Sequence, residues 1–113
     1  MKPGKKDLEI PQGGTFIMPV TWEETDLTGC TAVAVLTPAE EGAEPIEFSS
    51  EGDDPAITFT DAEEGELSLE LTDEQTADFD WKRGVWVLEI TFTDGRSYTL
   101  LRGAVTVLSR TKL

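Results

Sequence analysis

Carboxylates are the natural place to look for chemistry in this 113-residue sequence, which has 23 Asp and Glu against 9 Lys and Arg, and no His. Two turns gather oxygen ligands: Glu51, Asp53 and Asp54 in one, Asp61, Glu63, Glu64 and Glu66 in the other. Calcium takes about six to eight oxygens, but neither turn has the EF-hand spacing, and Pro55 interrupts the first. Solvated turns are the plainer reading. A carboxylate pair can also cleave glycosides, yet these acids fall in turns and on outward strand positions, where ordinary ionisation is expected. Cys30 is the only cysteine, so it can form no intrachain disulfide, and without His there is no Cys–His pair. One thiol cannot make a transition-metal site, and Cys30 reads as a small buried hydrophobe. Gly13-Gly14 precedes a strand rather than a helix, so it is a turn and not a phosphate cradle. Trp22, Trp81 and Trp86 could line a sugar groove, but Trp22 and Trp86 fall on core faces. The expectation is a protein without catalytic residues, cofactor or metal.

Charge distribution narrows the partners. Residues 7–81 hold no Lys or Arg and every acid except Glu89 and Asp94, within a formal net charge of −14. Phosphate backbones and anionic membrane surfaces are bound by clustered bases, so neither nucleic acid nor membrane is an expected partner. The acidic surface either keeps the chain soluble or meets a basic partner. No apolar run approaches the ~20 residues of a membrane span. Met1 to Lys6 is basic but leads into no hydrophobic segment, so no secretory signal is read and cytoplasmic assembly is expected.

The elements that must position these residues alternate with a period of two. In Val85 to Thr93, Trp86, Leu88, Ile90 and Phe92 point one way, and Val85, Val87, Glu89 and Thr91 the other. Asp94-Gly95 then predicts a two-residue type I′ hairpin turn. That turn places Phe92 opposite Ser97, Ile90 opposite Thr99, Leu88 opposite Leu101 and Trp86 over Gly103, with Glu89 diagonal to Arg102. Thr72-Asp73-Glu74-Gln75 predicts a capping box opening a short helix that ends near Asp80, with Ala77, Phe79 and Trp81 plugging one end of the core. Glu66 to Leu71 puts Leu67, Leu69 and Leu71 inside and Ser68 in water. Thr31 to Leu36 is apolar on both faces and predicts a central, covered strand. Pro19 marks Thr15 to Trp22 as an edge strand or bulge. Ile57 and Phe59 face inward from another strand, and Pro45 to Ser49 predicts a short edge strand.

About seven strands at this spacing define an all-β domain, an antiparallel sandwich or small barrel with one short helix. Residues 1–113 form one domain, with short basic arms at about 1–6 and 109–113. The outward hairpin positions Val85, Val87, Tyr98 and Leu100 are apolar, which makes them the candidate interface unless a second sheet or an arm covers them.

Four segments, in order, resemble a group of small tailed-phage virion proteins related to the N-terminal domain of phage baseplate upper proteins. They are Leu8 to Phe16 with its Gln12-Gly13-Gly14-Thr15-Phe16 turn, Asp26 to Ala32, Leu71 to Thr76 with Trp81, and Leu88 to Gly95 continuing to Leu100–Val107. The resemblance implies an immunoglobulin-like β-sandwich that anchors or adapts tail, baseplate or fibre components, with no catalytic residues to carry over. Expected partners are other virion proteins and copies of this chain, in a virion assembled in the host cytoplasm; capsid decoration is a close variant. The alternative is a carbohydrate- or calcium-binding β-sandwich acting in adhesion.

Overall fold

In a computed structural model, which describes residues 4–52 and 55–108, the alternating segments become two facing sheets. The strands are β1 (Gly4–Lys5), β2 (Leu8–Pro11), β3 (Phe16–Thr21), β4 (Thr31–Pro38), β5 (Ile46–Ser49), β6 (Ile57–Asp61), β7 (Glu66–Leu71), β8 (Arg83–Thr91) and β9 (Ser97–Leu108). A 3-10 turn spans Ala62–Glu64, and the one α-helix among the described residues, α1, spans Asp73–Ala77. The larger sheet runs β1-β9-β8-β4-β5, with β2 also on β9; the smaller runs β3-β7-β6.

Each sheet turns one row of side chains inward, as period-two strands must. Ala32, Ala34 and Leu36 from β4, Trp86, Leu88 and Ile90 from β8, and Val105 and Val107 from β9 are buried. So are Met18 and Val20 from β3, Ile57 from β6, and Leu67, Leu69 and Leu71 from β7, within the same core cluster. Pro19 is tolerated because β3 is an edge strand. Ser68 is buried rather than solvated, since β7 is the middle strand of its sheet. Its hydroxyl lies 3.4 Å from a Glu70 carboxylate oxygen.

The capping box forms as its residues require. The Thr72 hydroxyl accepts from the Gln75 backbone N–H at 3.1 Å, and the Gln75 side chain accepts from the Thr72 N–H at 2.8 Å. The helix is shorter than expected, and Ala77 stays exposed. Phe79 and Trp81 alone make the plug, with ring centroids 5.4 Å apart.

One expectation about the chain ends changes. Gly4–Lys5 is no loose arm but an edge strand, parallel to β9 like β2, so the larger sheet is mixed. Segment 109–113 lies outside the described residues. With Gly4–Lys5 drawn into a strand, nine strands stand among the described residues where about seven were expected.

The hairpin turn also differs. Asp94 does not take positive φ; Gly95 does, at 93°. The Gly95 N–H donates to the Phe92 carbonyl, and the Phe92 N–H to the Arg96 carbonyl. The loop is therefore Thr93-Asp94-Gly95, a tight turn closed by a left-handed glycine. Ile90 now faces Tyr98 and Glu89 faces Thr99. A bulge in β9 at Leu100, which is left unpaired between the Leu88–Leu101 and Glu89–Thr99 pairs, absorbs the extra residue, and the expected pairs Leu88–Leu101 and Trp86–Gly103 follow.

Candidate protein-interaction surface

The loop and bulge rearrange the expected interface. Leu100, placed outward by the sequence, falls at the bulge and is buried at 7% exposure. Tyr98, opposite Ile90, is half-buried and packs edge-on against Phe92 and Trp22, with centroids 5.6 and 6.3 Å apart. Neither belongs to an outward apolar face. Val85 and Val87 do: Val85 is 58% exposed and Val87 is half-buried.

The residues that complete their surface come mainly from β4. Val35 pairs with Val87, and Thr37 with Val85. Val33 is the next outward residue of β4, and both its valines are half-buried rather than covered. Ala104, paired with Val85 from β9, is exposed. The double-sided apolar pattern of Thr31 to Leu36 signals a central strand, which β4 is. Its outer face, however, is left open by the described residues. Beside Val85 and Val87 lies a depression of about 640 Å³, lined by Lys5, Asp7, Arg102 and Ala104 as well.

The basic side chains gather here. Register puts Lys5 beside Arg102 and Arg102 beside Val87, while Arg83 precedes Val85 by two residues on β8. All three are exposed. The arm that brings Lys5 is pinned from below: the Trp86 Nε1–H donates to the Lys6 carbonyl at 2.7 Å, and the Lys6 N–H to the Arg102 carbonyl at 2.9 Å. Asp7 Oδ1 accepts from the Ala104 N–H at 3.0 Å. Gly103 lets the arm lie this close, since a methyl there would strike the Lys6 carbonyl.

Elsewhere the expected chemistry does not assemble. Among the described residues no three His, Cys, Asp or Glu are grouped to hold a metal ion; Asp53 and Asp54 of the first acidic turn lie outside them. Trp81 and Trp86 are buried, and Trp22 is half-buried against Phe92. Cys30 is a buried free thiol whose pKa is pushed up by burial, then by the charges of Asp26 and Asp94. Arg96 makes the one ion pair among the described residues, 2.7 Å from Asp94, and its guanidinium lies 5.8 Å from the Phe92 ring centre. Glu89 and Arg102 form none.

Two mostly antiparallel sheets in this order, enclosing one apolar layer, define an all-β immunoglobulin-like sandwich. Among solved structures the chain is similar to the extracellular domain of the voltage-gated sodium channel β4 subunit. The match has a TM-score of 0.51 and 10% identity, and covers 98% of this chain and 97% of that one. It is also similar to a voltage-gated sodium channel β-subunit structure, with a TM-score of 0.52, 13% identity and 92% of each chain covered. At such identities the likeness is one of fold. No protein-family model and no curated protein matches the sequence.

Proposed function

We propose that this chain is an assembly module, a β-sandwich whose outer sheet face binds other proteins and further copies of itself, built into a tailed-phage virion as an adaptor or anchoring part and carrying no catalytic site. The observation that carries the reading is the open face of Val33, Val35, Val85, Val87 and Ala104, on a domain whose inner faces are already spent on one core. Contiguous exposed apolar surface on a small soluble fold is the usual mark of a contact. The virion setting rests on the four sequence segments that resemble phage baseplate-related proteins. Self-association has a parallel in fold, since the sodium channel β4 extracellular domain forms parallel homodimers in cell–cell adhesion. The carbohydrate- or calcium-binding alternative draws less support, because Trp81 and Trp86 are buried and the described acids do not converge.

Mass spectrometry of purified particles tests the setting: the chain should appear as a stoichiometric component. The face is tested by Val85→Glu combined with Val87→Glu, which should leave the melting transition near that of the parent while incorporation falls at least about tenfold. Normal incorporation of the double variant removes this face from the proposal.

A further inference from the structure

The outer face carries a charge order across the strands that selects a partner. Ladder pairing sets Glu47, Val35, Val87, Arg102 and Lys5 side by side, one from each of β5, β4, β8, β9 and β1. Paired residues share a side of the sheet, so the row reads acid, apolar, apolar, base, base. Glu47, Arg102 and Lys5 are exposed, and both valines are half-buried. Such a row is complementary to its own reverse.

We infer that this face pairs with the same face of a second copy, about a two-fold axis that runs parallel to the strands between β4 and β8. Face-to-face packing with the strands of the two copies aligned leaves two choices for an axis lying in the interface. An axis along the strands reverses the order across them, so Glu47 of each copy meets Arg102 of the other, and Val35 meets Val87. An axis across the strands keeps that order, so Glu47 would meet Glu47 and Arg102 would meet Arg102. Opposite charges favour the first, and like charges in apposition penalise the second. The symmetry supplies each favourable contact twice. Sheets packed in this way stay within about 30° of alignment at ~10 Å separation, which keeps the facing rows in register near the axis.

The net charge of −14 opposes association, but the row itself carries two bases and one acid, and charges beyond about a Debye length of ~8–10 Å are screened at physiological salt. Glu89, beside Val33 one row away, limits the apolar stripe on the hairpin side. Four strands at ~4.8 Å and three outward rows at ~6.8 Å give roughly 400 Å² of flat area per copy, below the ~800 Å² of a standard interface. The pairing is therefore weak in solution and is strengthened where an assembly holds copies together.

This inference rests on the assembly reading, and sedimentation equilibrium of the full chain, carried to about millimolar concentration, tests it separately from particle incorporation. A monomer–dimer equilibrium is expected. Glu47→Arg and Arg102→Glu, both exposed, should each weaken it about tenfold by placing like charges together at two symmetric contacts. The double variant Glu47→Arg/Arg102→Glu should return to within about threefold of the parent, because the swap restores both pairs. A parent that stays monomeric overturns the pairing. So do single variants that dimerise normally, the result of an axis across the strands, or a double variant no better than the singles. Monomeric behaviour together with incorporation lost in Val85→Glu/Val87→Glu assigns the face to a different virion protein and leaves the assembly role standing. A dimer absent from particles overturns that role alone.

Discussion

Trp86 and Trp81 are both shut away from solvent, at 1% and 4% exposure, yet their indole nitrogens meet opposite ends. Trp86 Nε1 donates to the Lys6 carbonyl, whereas Trp81 Nε1 is buried with no partner. An unmade hydrogen bond costs the desolvation of its donor, so removing that donor recovers part of what the smaller ring loses. Trp81→Phe should therefore destabilise less than Trp86→Phe, by about 1 kcal/mol or more, in urea unfolding followed by circular dichroism. The reverse order would mean that Trp81 has a partner in solution or that the Trp86 bond contributes little. The sequence already placed Trp86 over Gly103, because a large ring needs the space a glycine leaves. It could not show the Lys6 carbonyl above that ring, since a backbone acceptor from an arm has no residue signature. Nor could it expose the orphan at Trp81, which depends on what packs around the plug.

At the level of elements, the β8–β9 hairpin shows how a one-residue difference propagates. Asp-Gly fits a two-residue turn with both residues at positive φ, and it also fits a longer loop in which only the glycine is left-handed. Both place Gly95 where it is, so composition could not choose between them. The loop adopted shifts the tip by one position, and the bulge cancels the shift before Trp86 is reached. The core half of the hairpin was thus legible and its distal half was not, which is why Leu100 turns inward and Tyr98 joins the aromatic cluster. Val33 and Val35 were legible as a central strand but not as an open face, because periodicity does not tell which covered-looking side lacks a neighbour. The loop gives a prediction of its own. The Arg96 backbone N–H and then its guanidinium hold the Asp94 carboxyl below the usual carboxylate value. A carboxyl depressed in the folded state supports the loop above its unfolded pKa, and that support fades as pH falls through the lower folded value. An NMR titration should show the Arg96 amide moving with Asp94 below the ordinary carboxylate midpoint, and Gly95→Ala should cost about 1 kcal/mol or more through its φ of 93°. A normal Asp94 midpoint would point to the two-residue turn instead, and a neutral Gly95→Ala would show that Gly95 is not left-handed in solution, which contradicts both turns.

At the scale of the whole molecule, β9 joins everything that is far apart in sequence. It pairs with β8 beside it and with β1 and β2 from the opposite end of the chain. The larger sheet is therefore complete only after the last strand is present, and pairings of such long separation are expected to form slowly. The arm has two duties in this arrangement. It covers Trp86 through the Lys6 carbonyl, and it places Lys5 at the basic end of the outer row. Removing residues 1–6 separates these duties from the core, because Leu8 and Ile10 would still hold β2 against β9. The shortened chain should fold, lose about 1–3 kcal/mol from the exposed indole and its broken hydrogen bond, and show red-shifted tryptophan emission. Lys5→Glu, which leaves the Lys6 carbonyl in place, should keep the parent emission and stability while weakening self-association. An emission spectrum unchanged by truncation would show that the arm does not cover Trp86 in solution. Loss of dimer in the truncated chain with none in Lys5→Glu would assign the arm's contribution to shape rather than charge.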